Sequence, residues 1–281
     1  MELMKRGRKM FDEMFDEMFQ DVENDSMEYG VRLACADESV FAALAQYYSQ
    51  VEECEPLCNM PVRQFYPELE EENEISTSAE EVAWRNTMLI SDVQAAGIPL
   101  EILQQQDVIC IYRTGSEEDF AACAEGVTAQ QEEDGDGIRP AVFCFADAAT
   151  AKAYVCGSGV WAPSSSQVVG TNLDDVLPLL ASTKGDIRYI SGKSLLWEEM
   201  PAVDRSVQGV QLICRGAKDL SMFEVMEKAE AIAACFSEGV HILWQIEIYE
   251  KREILAFFVR EMPHMGASRK RCEQEGAFFV S

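Results

Sequence analysis

At 281 residues, 48% hydrophobic and 26% charged, the chain has a globular composition and a length that suits about two modules. Its 50 acidic residues against 23 basic ones leave a formal net charge of -27, which disfavours nucleic acid and anionic membranes as partners. No apolar run of about eighteen residues is present to span a bilayer and no N-terminal stretch looks like a signal peptide, so a cytoplasmic protein is expected.

From the N-terminus, Lys5, Arg6, Arg8 and Lys9 form a short basic cluster that reads as solvated. Residues 9–22 then place Met10, Phe11, Met14, Phe15, Met18, Phe19 and Val22 on one half of a helical wheel, with acids on the other half. This Met/Phe stripe suits either its own core or a partner protein. The acidic polar face argues against a membrane surface. A second helix is expected from Asp37 to Val51, after which Pro56, Pro61 and Pro67 break the chain and residues 68–74 are nearly all acidic. Residues 1–74 are thus read as a helical acidic N-terminal segment.

A mixed α/β pattern follows. In a first module, residues 75–168, we expect a helix near Ala79–Ile90, a strand at Asp107–Arg113, a helix at Glu117–Ala129 and strands at Ala141–Phe145 and Ala153–Cys156. A second module, residues 169–264, offers a helix near Leu173–Ala181 and strands at Asp186–Ile190 and Val210–Cys214. It continues with a helix from Ser221 to Cys235 and strands at His241–Tyr249 and Glu253–Val259. Strand, glycine turn, acidic helix start and two further strands recur in both, which suggests an internal repeat. Residues 265–281 form a tail that contains Arg269, Lys270 and Arg271. The fold class is therefore α/β (α+β): an N-terminal helical segment followed by one or two small mixed-sheet modules.

Gly209-Val-Gln-Leu-Ile-Cys-Arg-Gly216 leads into Asp219-Leu-Ser221-Met-Phe-Glu224-Val, with capping oxygens at Asp219 and Ser221 and with Phe223, Met226 and Ile232 expected to face a sheet. The stretch resembles the strand, glycine turn and Asp-Leu-Ser-Leu-Phe-Glu-Val helix in the C-terminal domain of the tubulin-like bacterial cell-division GTPase FtsZ. Ser194-Leu-Leu-Trp-Glu198, Asp175-Val176, Leu179-Leu180, Gly185 and Ser191-Gly192 extend the resemblance over residues 170–262. It implies a small sheet backed by helices that makes protein–protein contacts in filaments.

The GTP-binding half of that family is not matched. Its Gly-Gly-Gly-Thr-Gly-Thr-Gly loop, whose backbone N–H groups approach phosphates, has no counterpart here, and no Walker-type loop appears. No GTP and no other cofactor is therefore expected. Asn172-Leu173-Asp174-Asp175 resembles the family's synergy loop shortened by two residues, and it is the candidate interaction loop. As a bare pattern it is also a good helix N-cap. The leading expectation is a non-catalytic interaction or assembly module, through self-association or a protein partner.

Other constellations carry less. Gly157-Ser158-Gly159 lacks the third glycine of a dinucleotide loop and reads as a tight turn. Cys54 and Cys58 have loose metal spacing without a second pair, so no metal is expected. Cys110 and Cys144 lie in apolar runs and read as small buried hydrophobes with reduced thiols. Neither His241 nor His264 is a clear catalytic base, so no catalytic residues are named. The alternative is a small-molecule enzyme on a chorismate-mutase-like scaffold. Its dianionic substrate would need converging arginines from among Arg85, Arg113, Arg139, Arg188 and Arg215.

Overall fold

The computed structural model describes residues 29–66, 83–129, 140–161, 167–218 and 220–262. The elements in chain order are β1 (Tyr29–Cys35), α1 (Glu38–Leu44), β2 (Gln50–Leu57), β3 (Met60–Tyr66), β4 (Ala83–Ser91), α2 (Asp92–Ala95), α3 (Leu100–Leu103), β5 (Val108–Tyr112) and α4 (Glu117–Ala129). They continue as β6 (Ala141–Phe145), α5 (Ala148–Gly157), β7 (Gln167–Val169), α6 (Leu173–Leu180), β8 (Arg188–Leu196), β9 (Val207–Gly216), α7 (Met222–Ala233), β10 (His241–Ile248) and β11 (Glu253–Glu261).

All the strands join one 11-stranded sheet in the order β2-β3-β1-β4-β5-β6-β8-β11-β9-β10-β7. From β1 to β8 the neighbours are parallel. β11 runs antiparallel to both β8 and β9, and β10 is parallel to β9. The central parallel strands are buried on both faces, which is why Met88-Leu89-Ile90 and Val108-Ile109-Cys110-Ile111 are unbroken apolar runs.

One face carries α1, α5 and α6 over Val31, Leu33, Phe143, Phe145 and Phe257. Tyr154 of α5 is central there, T-shaped against Phe257 at 4.9 Å and against Trp161 at 5.5 Å. The indole N–H of Trp161 donates to Thr87 at 3.1 Å, and the Tyr48 hydroxyl donates to the Trp161 carbonyl. On the other face, Phe120, Ala124 and Val127 of α4 pack with Ile109, Ile111 and Val142, while α7 covers β9 and β11.

Several expectations are corrected. Residues 29–66 are mainly strands: the helix begun at Asp37 stops at Leu44, and Gln50 to Tyr66 form a hairpin. Its two-residue turn, Cys58-Asn59, has positive φ at both positions, as the twist of a tight hairpin demands. Pro56 falls in the irregular part of edge strand β2 and Pro61 ahead of the β1–β3 pairing, so neither breaks the sheet. β1 pairs with β4 across the expected boundary at residue 74, and one large sheet replaces two small modules.

Ala83–Ser91 is a strand where a helix was expected, because it is flanked on both sides by β1 and β5. Residues 153–156 lie inside helix α5 where a strand was expected. The Ala-rich start of α5 and the Asp147 cap, whose Oδ1 accepts from the Thr150 amide at 2.7 Å, outweigh the β-propensity of Tyr154 and Val155. The two proposed copies therefore share one βαβ unit, β5–α4–β6 and β9–α7–β10, and diverge after it. The Met/Phe stripe of residues 10–22, Asp219, Arg139, His264 and the tail lie outside the described residues.

Candidate functional site

The loop at residues 172–175 opens α6. Asn172 Oδ1 accepts from the Asp175 amide at 3.0 Å and Asp175 Oδ2 accepts from the Asn172 amide at 2.9 Å, a reciprocal capping box. Leu173 leans on the core, and Val176 and Leu180 are buried beneath it. Just upstream, the Thr171 hydroxyl donates to Gln245 Oε1 at 2.7 Å and accepts from Gln211 Nε2 at 3.3 Å. Gln245 in turn donates to the Ser158 carbonyl at 2.7 Å. Gln211 and Gln245 are buried in β9 and β10, so the loop is fastened to the sheet by a polar network under it.

Asn172 and Asp175 are thus engaged in starting the helix. Asp174 is exposed and makes no hydrogen bond or ion pair among the described residues. Its carboxylate is the group of the four that is available to another molecule.

A different carboxylate is fixed within the sheet. Asp92, 4% exposed, sits where β4 turns into α2 and accepts from the Thr114 amide at 3.1 Å, from the Thr114 hydroxyl and from the Gly115 amide at 3.3 Å. Burial pushes its pKa up, but the hydrogen bonds from Thr114, Gly115 and Val93 outweigh it and hold the carboxyl below its ordinary value. Asp92 therefore ties the β4 turn to the β5 turn through hydrogen bonds that favour its charged form.

The arginines considered for a dianion are engaged separately. Arg215 Nε meets Glu247 at 2.6 Å and its Nη1 meets Glu253 at 3.3 Å, directly across β10 and β11. Arg188 binds Asp186 at 3.0 Å and donates to the Pro178 carbonyl, Arg113 lies over the Tyr189 ring and 3.9 Å from Glu117, and Arg85 donates to the Val160 carbonyl. The described ones lie on or beside different strands, each with different partners.

Burial pushes the thiols of Cys144, Cys156 and Cys214 up to about 12, and that of Cys35 up to about 11, so these cysteines are poor nucleophiles. Among the described residues no group of three or more His, Cys, Asp or Glu side chains is placed to hold a metal, and no helix is long and apolar enough to cross a membrane.

Sequence reasoning misjudged the outer face of α7. Val225, Ala229 and Ile232 are the buried residues, whereas Phe223 is 76% and Met226 44% exposed. Leu212 is buried as expected and Ile242 is half-buried. The spacing of Val225, Ala229 and Ile232, four and three residues apart, was the available signal, and the bulk of Phe223 masked it.

No protein-family model matches the chain, and no curated protein matches it. Among solved structures it is similar to a mutant FtsZ from M. jannaschii at 9% identity, covering 64% of this chain and 83% of that one, with a TM-score of 0.39. CetZ from Methanosaeta thermophila shares 12%, over 68% of this chain and 67% of that one, with a TM-score of 0.40. TubZ from Bacillus thuringiensis serovar israelensis, in GDP-form protofilaments, shares 9% over 69% and 68%, with a TM-score of 0.39. Likenesses this distant carry no activity across to this chain.

Proposed function

We propose that the chain is a non-catalytic protein–protein interaction module, related to FtsZ-like assemblies, that associates with its own copies or with such a filament. The observation that carries the reading is the loop at 172–175. It is exposed, it is made rigid by its capping box and by the Thr171 network, and it presents one unengaged carboxylate at Asp174. A preorganised loop contributes to a contact without a large ordering cost. The resemblance of Gly209 to Glu230 to the FtsZ strand and helix supports the same reading, and nucleotide has no part in it.

A body at -27 repels its own copies, and screening shortens that repulsion to about 8 Å at physiological ionic strength. Self-association should therefore strengthen with salt. Sedimentation velocity of the wild type, Asp174→Ala and Asn172→Ala across a salt series, with and without GTP, tests this. Asp174→Ala is expected to shift association at every salt concentration, with no effect of GTP. Asn172→Ala should mainly cost stability, about 0.5–2 kcal/mol for a lost cap. Association that is indifferent to Asp174 would leave the loop a capped helix start and nothing more.

A further inference from the structure

Near the β2 end of the sheet, register places two rows of side chains on one face. Gln64 of β3 is opposite Arg32 of β1, and Arg32 is opposite Asn86 of β4. Two residues further along β1, Val62, Ala34 and Met88 are level in the same way and pack with Leu103 and Phe120. Because side chains alternate along a strand, Gln64, Arg32 and Asn86 share that face with the apolar row. A cleft of about 650 Å³ lies over both rows, bordered by Cys54 and Leu57 of β2 and by Gln105 and Gln106 after α3. That size falls in the range of sites for small organic molecules, about 300–1,000 Å³.

Arg32 is the charged group of the cleft's floor, and its geometry is fixed. The guanidinium sits over the Trp84 ring at 4.5 Å, and Trp84 is met edge-on by Tyr66 at 5.1 Å. Arg32 Nε donates to Gln64 Oε1 at 2.9 Å. These contacts use one face of the plane and Nε. The two Nη groups of this half-buried side chain make no hydrogen bond or ion pair among the described residues. A guanidinium held in place with that end unused matches the two oxygens of a carboxylate.

The neighbours add polar groups that are also set in position. The Asn86 amide N–H donates to Asp107 Oδ2 at 2.7 Å, and the Asp107 amide donates to the Asn86 carbonyl at 2.8 Å. The Asn86 side chain itself makes no hydrogen bond among the described residues. Gln106 is 6% exposed and donates through Nε2 to the Ile102 carbonyl at 3.0 Å, while its Oε1 has no donor among the described residues. A buried acceptor beside a cleft favours a ligand that brings a hydrogen-bond donor.

We propose that this cleft is a binding site for a small monocarboxylate with an apolar body. The Arg32 Nη groups take the carboxylate, and the Asn86 amide, one strand away in the same row, supplies a further donor. Ala34, Leu57 and Val62 form the apolar half, and Gln106 Oε1 accepts from a hydroxyl or amide on the ligand. Charge decides against dianions and phosphates. Arg32 is the only cation among the described residues lining the cleft, Glu55 stands exposed at its border, and the chain as a whole carries -27. A second negative charge on the ligand would meet a repulsive field with no partner for it. The site lies at the opposite end of the strand order from β9 and β10, which hold the 172–175 loop, so it does not rest on the assembly reading.

Heteronuclear NMR of the full chain tests this by following the Arg32 Nε–H and the Asn86 side-chain amide. The probes are phenylacetate and its neutral isostere phenylacetamide. Phenylacetate should shift both groups saturably with a dissociation constant of about 1 mM or tighter, and phenylacetamide should bind at least tenfold more weakly. Arg32→Gln should weaken phenylacetate at least tenfold and leave phenylacetamide unchanged, and the spectrum of the variant reports whether it is folded. The comparison of the two probes on the wild type stands without the variant. No saturable shift up to about 10 mM, equal affinity for the acid and the amide, or a folded Arg32→Gln protein that binds phenylacetate as tightly as the wild type would each overturn the proposal.

Discussion

Helix α7 offers a sharp test, because its bulkiest residue and its most buried residue are different ones. Phe223 is 76% exposed, so removing its ring in Phe223→Ala takes little apolar surface out of the core, and the change should stay within about 0.5 kcal/mol. Ile232 is fully buried among Leu212, Val225 and Ile254, and Ile232→Ala leaves a cavity as well as losing transfer free energy, about 2–5 kcal/mol. With a urea slope of about 2 kcal/mol per molar, that loss moves the unfolding midpoint down by roughly 1–2.5 M. Urea titrations of both variants by far-UV circular dichroism give the comparison, provided the slope is unchanged. A Phe223→Ala loss as large as that of Ile232→Ala would refute the helix phase.

Two further outcomes follow from buried charge. The Asp92 carboxyl is held below its ordinary value when folded, so its contribution is fully present above the unfolded carboxylate pKa and is lost as pH falls through the folded one. Urea midpoints from pH 7 to about pH 3 should therefore fall less steeply on the acid side in Asp92→Asn than in the wild type, from a lower starting stability; parallel curves would contradict this. Arg215→Ala removes the 2.6 Å ion pair with Glu247, a carboxylate 7% exposed, and should cost about 3–5 kcal/mol. Glu253→Ala, at a more exposed partner, should cost clearly less when both variants are compared by urea titration.

Local chemistry made some of this protein legible from its sequence. Asn172 with Asp175, and Ser221 with Glu224, announce helix starts because a side-chain oxygen three residues from a partner satisfies amides that the helix itself leaves free. Glu117–Ala129 and Ala141–Phe145 stand where their patterns put them, since period and propensity agree there. Cys110 and Cys144 read as core residues from their apolar neighbours alone.

Only the tertiary structure decided the rest. Ala83–Ser91 is a strand because β1 and β5 lie on either side of it, and no local feature of the segment reports those neighbours. Residues 29–66 join the sheet across the acidic run by a pairing that links distant parts of the chain. The exposure of Phe223 depends on which face of α7 the sheet accepts, and Lys228 and Glu224 fix that through partners at Glu199 and Arg252. The strand order is likewise decided by the tertiary structure: a sequence specifies how well a segment can form a strand, and the assembled sheet determines which strands become its neighbours.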